Sequence, residues 1–148
     1  MSTEKQRAYI AGFIDADGCI NMRKAPNYVI RVQVYNTKIS VLLWIKDLYG
    51  GRMWVREAKG NSKTSYTLEF TARPAYALLS DIYPYLILKK EQAKILINFQ
   101  KNRPKFCKMN KRNKKGQFAG MRQLSLEEKE KRHNMIEMLH ILNKRGTN

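Results

Sequence analysis

Two aspartates, Asp15 and Asp17, stand among small and bulky apolar residues in the run Tyr9-Ile10-Ala11-Gly12-Phe13-Ile14-Asp15-Ala16-Asp17-Gly18-Cys19-Ile20, which occurs once in the chain. Carboxylate and main-chain carbonyl oxygens are the hard ligands that Mg²⁺ or Ca²⁺ prefers, so metal-assisted chemistry is within reach of these residues. Thr3 and Gln6 form a capping-box pattern, and Gly18 fits the left-handed position that ends a helix. The spacing predicts a helix from about Glu4 to Ala16 with Asp17 delivered at its C-terminal tip. An acid there is locally unfavourable, because the helix dipole places partial negative charge at that end, at a cost of roughly 0.3–1 kcal/mol. A divalent cation reverses the sign. Ala8, Ala11 and Gly12 remove side-chain bulk from one face, so a second helix can approach backbone to backbone at roughly 8 Å. The plain alternative is an ordinary packed helix ending in a solvated Asp-Gly turn.

The rest of the chain has to position that helix. Its 148 residues, 43% of them apolar, suit one domain with a real core. Lys and Arg number 29 against 12 acids, a formal charge of +17, and self-repulsion of that size points to a polyanionic partner, nucleic acid first. A membrane surface is the competing polyanion, but the sequence has no long apolar run, signal peptide or basic amphipathic helix with a continuous apolar face. Cys19 and Cys107 lack C-x-x-C spacing, which argues against a zinc finger, a redox motif or a disulfide framework. His133 and His140 fall two helical turns apart with no third ligand at metal-site spacing, and read better as exposed or partly packed histidines.

After Gly18 the period becomes alternating. Ile20 and Met22, then Ile30, Val32 and Val34, predict a hairpin around Ala25-Pro26-Asn27. A helix opens near Thr37 and stops at Gly50-Gly51, with Ile39, Leu42, Leu43 and Leu48 available to the core. A second hairpin follows, Met53 and Val55 on one strand and Tyr66, Leu68 and Phe70 on the other, around Lys59-Gly60-Asn61. Arg73-Pro74 starts a short helix carrying Leu78, Leu79 and Ile82 and closed by Pro84; another runs from about Leu88 to Gln100 with Ala93, Leu96 and Phe99 inward. From 101 to 115 the chain is basic and free of acids, which predicts an irregular arm reaching about Gln123. Ser125 and Glu128 read as a capping box for a last helix, striped by Met135, Ile136, Leu139 and Leu142 and ended by Gly146.

The two hairpins predict a four-stranded antiparallel sheet with helices on its apolar face. Its other face then carries Asn21, Arg23, Arg31, Gln33, Tyr35, Arg52, Trp54, Arg56, Ser65, Thr67 and Glu69. Arg pairs bidentately with guanine, Asn or Gln with adenine, and Ser and Thr donate or accept, so this set can read base edges in a major groove. A merely solvated face is the alternative; the excess of arginine over the single acid, Glu69, speaks for DNA. Lys111, Arg112 and their basic neighbours can clamp phosphates, each adding roughly 0.9 to the salt slope, or form a solvated tail.

The stretch from Ile10 to Gly18, Ile-Ala-Gly-Phe-Ile-Asp-Ala-Asp-Gly, resembles without a gap the signature of the LAGLIDADG homing endonucleases, and the likeness extends over roughly Glu4 to Gln100. It implies an α+β (α/β) fold, αββαββα, with a DNA-binding four-stranded antiparallel sheet; residues 1–100 would be the core and 101–148 a basic arm and helix of the same domain. It further implies metal binding by Asp17 and the Ala16 carbonyl, with Mg²⁺ as cofactor and Mn²⁺ or Ca²⁺ as other occupants. Asn36 takes the place of a polar residue that positions water, and Lys89, in Pro84-Tyr85-Leu86-Ile87-Leu88-Lys89-Lys90-Glu91-Gln92, looks like the basic residue of the family's Pro-x-Leu-x-x-Lys-x-x-Gln pattern. Lys90 is its rival, and from the residues alone Asn36 reads equally as a turn or cap residue and Lys89 as a solvated lysine. Relatives with one motif copy resemble homodimers, which implies pairing through Ala8, Ala11, Gly12 and Asp15, with Asp15 in a structural or secondary role. The implied activity is a staggered double-strand cut by an intron-encoded endonuclease in a long, near-palindromic DNA site. An RNA-binding maturase and a non-cleaving DNA-binding regulator are the alternatives on the same framework. The expected location is inside the cell, in prokaryotic cytoplasm or an organelle, with no membrane partner.

Overall fold

A computed structural model describes residues 2–24, 28–61, 63–102 and 124–144. Helix α1 spans Glu4–Asp17 and starts on the expected box: the Thr3 hydroxyl accepts the Gln6 N–H and the Gln6 side chain accepts the Thr3 N–H. Strands β1 (Gly18–Arg23) and β2 (Val29–Asn36) follow, then α2 (Ile39–Tyr49), β3 (Arg52–Arg56), β4 (Ser65–Thr71) and α3 (Arg73–Ile82). A 3₁₀ turn, Tyr83–Tyr85, leads towards α4 (Lys90–Lys101), and α5 covers Leu126–Asn143. Both hairpins are antiparallel and meet through their inner strands in the order β1-β2-β4-β3, with Val34 opposite Gly18 and Leu68 opposite Val34.

The helices cover one face of the sheet. Ile20, Ile30, Val32, Val34, Leu68 and Phe70 meet Ile10 and Ile14 of α1, Leu42 and Ile45 of α2, and Leu78, Leu79 and Ile82 of α3 in one core. Each of these large side chains contributes about 1.5–3 kcal/mol by leaving water. Helix α5 joins the same core through Ile136 and Leu139, and the Asn143 amide donates to the Ile20 carbonyl at 2.9 Å, which fastens α5 to the edge strand β1.

Several local expectations shift. Gly18 is extended (φ −90°) and opens β1; its need for glycine is spatial, since a Cβ would sit 2.6 Å from the Ile14 carbonyl oxygen. The left-handed helix end is found instead at Gly50, φ +75°. In α2, Ile39 and Leu43 face outward, and Ile45 takes the inward place beside Leu42. Val55 is exposed because β3 is an edge strand. In α5, Leu142 faces solvent while Arg132 is buried, its guanidinium over the Tyr28 and Phe99 rings and bonded to Glu128. Ser125 still caps the Glu128 N–H, but the Glu128 carboxylate is turned to Arg132, so the cap is one-sided. The turn at Ala25-Pro26-Asn27, the arm with Lys111 and Arg112, and Gly146 lie outside the described residues.

The N-terminal end of α1 is pinned by a compact polar cluster. Asp81 of α3 accepts from the Ser2 and Tyr49 hydroxyls and pairs with Arg7 at 3.4 Å. Burial alone would push the Asp81 carboxyl up, but the two hydrogen bonds and the Arg7 charge outweigh it and hold it below its usual range. Burial, reinforced by Asp81, pushes the Tyr49 phenol up to about 12. Among the described residues no helix is long and apolar enough to cross a membrane.

Candidate functional site

At roughly 100° of rotation per helical residue, Asp15 and Asp17 point to nearly opposite sides of α1. Asp17 is the last helical residue and is exposed; Asp15 is 8% exposed. The Asp15 carboxylate accepts the backbone N–H groups of Ile87 at 2.7 Å and Leu88 at 3.2 Å on Oδ2, and of Lys89 at 2.9 Å on Oδ1. These bonds hold the turn before α4, which is why that helix begins at Lys90 and not at Leu88. The half-buried Lys89 side chain reaches back: its Nζ donates to the Ile14 carbonyl at 3.0 Å and to that of Asp15. A cation on the terminal carbonyls of α1 complements the helix dipole and offsets part of the cost of acids at that end. Lys90 goes elsewhere, its ammonium 5.5 Å from the centre of the Tyr83 ring.

Asn36 ends β2, two residues beyond the Val34 that pairs with Gly18, so it belongs to the Asp17 end of the sheet. Its Oδ1 accepts the Lys38 N–H at 2.8 Å and turns the chain towards α2. The turn role weighed for Asn36 is therefore realised.

Every expected residue of the sheet's polar face shares that face. Cross-strand pairs set Asn21 opposite Arg31, Gln33 opposite Glu69, Tyr35 and Trp54 opposite Thr67, Arg52 opposite Glu69 and Arg56 opposite Ser65. Arg31 donates to Asn21 Oδ1 at 2.9 Å and lies 3.7 Å from Glu69; Gln33 donates to Glu69 at 3.0 Å and accepts from the Tyr35 hydroxyl at 3.0 Å. Burial first, with Glu69 adding to it, raises the Tyr35 pKa against the opposing pull of Arg31. Arg23, Arg52, Trp54 and Arg56 are exposed around this network. The strand alternation also puts Cys19 and Thr71 here, two residues missed by starting the first strand at Ile20 and stopping the last at Phe70; the Asn21 amide donates to Cys19 Sγ at 3.3 Å.

The small-residue stripe divides. Ala8 and Gly12 are exposed, together with Ala16 one turn on, whereas Ala11 and Asp15 turn into the chain's own core and do not belong to the outward ridge. A Cβ on Gly12 would meet nothing within 4 Å among the described residues. Beside the ridge, Tyr9 stacks on Phe13 and meets Trp44 edge-on, ring centres 6.2 and 5.6 Å apart.

Among the described residues no three His, Cys, Asp or Glu side chains cluster to hold a metal. The donor set at the α1 tip, one exposed carboxylate with end-of-helix carbonyls, still fits Mg²⁺, which is commonly held by one or two carboxylates plus substrate phosphates. His133 and His140 are both exposed.

A four-stranded antiparallel sheet entered by a helix ending in Ala-Asp-Gly, with helices on one face and arginines on the other, is the fold of the LAGLIDADG homing endonucleases. The chain shares that fold and is similar in sequence to one protein of that group over part of its length. The DNA endonuclease I-CvuI of Chlorella vulgaris is 33% identical over 107 residues, which make up 66% of this chain and 65% of that protein, so the match spans just under two thirds of the relative. In solved structures, the homing endonuclease I-CvuI in complex with its target in the presence of Ca superposes with a TM-score of 0.66 at 23% identity, covering 97% of this chain and 85% of that one. The archaeal intron-encoded homing endonuclease I-Vdi141I complexed with DNA gives 0.66 at 15% identity, covering 98% and 88%. No protein-family model matches the chain.

Proposed function

We propose that the protein is a site-specific, intron-encoded DNA endonuclease that hydrolyses phosphodiester bonds with a divalent metal. The observation that carries this reading is the shared location of Asp17 and Lys89: an exposed carboxylate at the helix tip, with an ammonium on carbonyls of the same final turn, at the end of the sheet where Gly18 opens β1. The solved relatives in complex with their target and with DNA support double-stranded DNA as the partner. So does a sheet face with four arginines, Arg23, Arg31, Arg52 and Arg56, against Glu69.

In this reading Asp17 and the Ala16 carbonyl hold Mg²⁺, with Mn²⁺ or Ca²⁺ as other occupants. The bound ion would neutralise developing charge on the phosphoryl and leaving 3′ oxygens. Lys89 adds a fixed positive charge beside the scissile phosphate, and Asn36, once its side chain leaves the Lys38 N–H, orients water. The sheet face reads bases, and Lys111 and Arg112 grip flanking phosphates. Residues 1–100 form the core, and 101–148 belong to the same domain.

One carboxylate per chain serves one strand, so the double-strand cut calls for a homodimer through α1. Gly12 supports this: among the described residues nothing needs a glycine there, while a helix crossing at close range would. The pairing ridge is then Ala8, Gly12 and Ala16, with Ala11 and Asp15 backing it from within.

The test is cleavage of a plasmid carrying an intron-free copy of the host gene, with Mg²⁺ and with EDTA, by wild type and Asp17→Asn. A discrete linear product that requires both the metal and Asp17 is expected. Tight binding to DNA or to intron RNA without any cut would replace this reading by the regulator or the maturase.

A further inference from the structure

Asp15 is a buried acid at the tip of α1 that no proposed step of cutting uses. Its carboxylate is committed to three main-chain donors, the nearest in sequence 72 residues further along the chain. Leu86 seats the chain in the core just before the segment, but Ile87 and Leu88 are 82% and 73% exposed, so the side chains of the held residues add little packing of their own. Hydrogen bonds from N–H groups to a carboxylate are roughly twice as strong as neutral ones. Here they supply what apolar burial does not. Lys89 is the last residue in the clasp, and its ammonium returns to the carbonyls of Ile14 and Asp15. The path from α1 to the Lys89 backbone therefore runs through the Asp15 carboxylate, while Asp17 leaves the same helical turn on the opposite side.

We infer that Asp15 is a positioning residue: it sets where the Lys89 ammonium stands relative to Asp17, and through Lys89 it governs the rate of strand cutting without touching DNA or metal. The inference rests on the endonuclease reading above. Misplacing a reacting group by about 1 Å can cost on the order of 10²-fold in rate, and an asparagine at 15 would replace one of the two accepting oxygens by an NH2 group set against an N–H donor. A residue that merely staples α1 to α4 would lower stability alike whether or not Lys89 is present.

The experiment is a cycle of Asp15→Asn, Lys89→Ala and the double variant. It reads single-turnover cleavage, metal-free DNA affinity and amide hydrogen exchange at Ile87, Leu88 and Lys89 in the full chain. Asp15→Asn is expected to slow cleavage by roughly 10- to 100-fold while the DNA Kd moves by less than about threefold. Exchange at the three amides should accelerate. In the Lys89→Ala background the same change should alter the rate by less than about twofold, because the two act as one unit. An equal loss in both backgrounds, or unchanged exchange, overturns the inference. If Asp15→Asn fails to fold, Asp15→Glu keeps the charge and displaces its oxygens by one methylene; a folded Asp15→Glu that cuts at the wild-type rate also overturns it. A wild type that never cuts rejects the endonuclease reading itself, and the exchange measurement then still decides whether Asp15 holds the segment.

Discussion

The two ends of α1 carry similar groups put to different uses. At the N-terminal end the acid is Asp81, and its partners are the side chains of Ser2, Tyr49 and Arg7. Donors and acceptor there satisfy one another, and the result is a staple between α1, α2 and α3. At the C-terminal end the inner acid, Asp15, is satisfied by backbone N–H groups, and the lysine it orders reaches back to helix carbonyls. That leaves Asp17 exposed at a helix end where a carboxylate is disfavoured unless a cation joins it. Mutual satisfaction makes a structural cluster; an exposed carboxylate at a helix C-terminus suits a bound cation.

The largest effect expected after loss of Asp17 itself is at Lys89. Lys89→Ala should lower single-turnover cutting by about 10²–10³-fold, the scale seen when one preorganised charge-stabilising donor is removed. Asp81→Asn, at the other end of the same helix and touching none of the proposed reacting groups, should leave the rate within about twofold. Equal losses from the two variants would show that the ends of α1 differ less than their geometry implies.

The next largest effect separates two glycines of the motif. Gly18→Ala drives a methyl into the last turn of α1, 2.6 Å from the Ile14 carbonyl oxygen and 2.9 Å from its Cα. It should cost about 1–3 kcal/mol as overpacking against backbone that cannot yield. Gly12→Ala meets nothing among the described residues and relieves the roughly 1 kcal/mol penalty of a mid-helix glycine. Denaturant unfolding at low concentration should therefore show opposite signs for the two. Sedimentation should show Gly12→Ala weakening self-association, and an unweakened dimer would remove α1 as the pairing helix.

What the sequence disclosed follows the same division. The period switch after Gly18, the capping box at Thr3 and the alternation of both hairpins are local signals, and the elements they predict are present with boundaries moved by a residue or two. The polar face was legible because strand alternation fixes facing without knowledge of neighbours. Asp17 was legible through its place at a helix end. The clasp of Asp15 was not, because its acceptors serve main-chain amides, and an amide leaves no mark in the sequence. Arg132 was missed for a related reason: its burial depends on Tyr28 and Phe99, two rings brought together only by the tertiary fold. Ile39 and Leu43 misled because apolar residues on an exposed face look the same in sequence as core.

The smallest effect concerns the stapled end and its pH dependence. Folding lowers the Asp81 pKa, so the carboxyl contributes stability above the usual carboxylate range and loses it as pH falls through the lowered value. Tyr49 runs the other way: its pKa rises from 10.0 to about 12, so its contribution is intact below pH 10 and fades as pH climbs from 10 towards 12. Between those limits both are present. Asp81 is 33% exposed, and water and salt screen its charge, so the cluster is worth only about 1 kcal/mol. Asp81→Asn should remove that stability at neutral pH, flatten the acid limb of an unfolding-versus-pH curve and bring the Tyr49 titration back towards 10, read from tyrosinate absorbance. If instead Asp81→Asn left the Tyr49 titration near 12, burial alone would be holding the phenol, and the N-terminal cluster would be three independent contacts and not one staple.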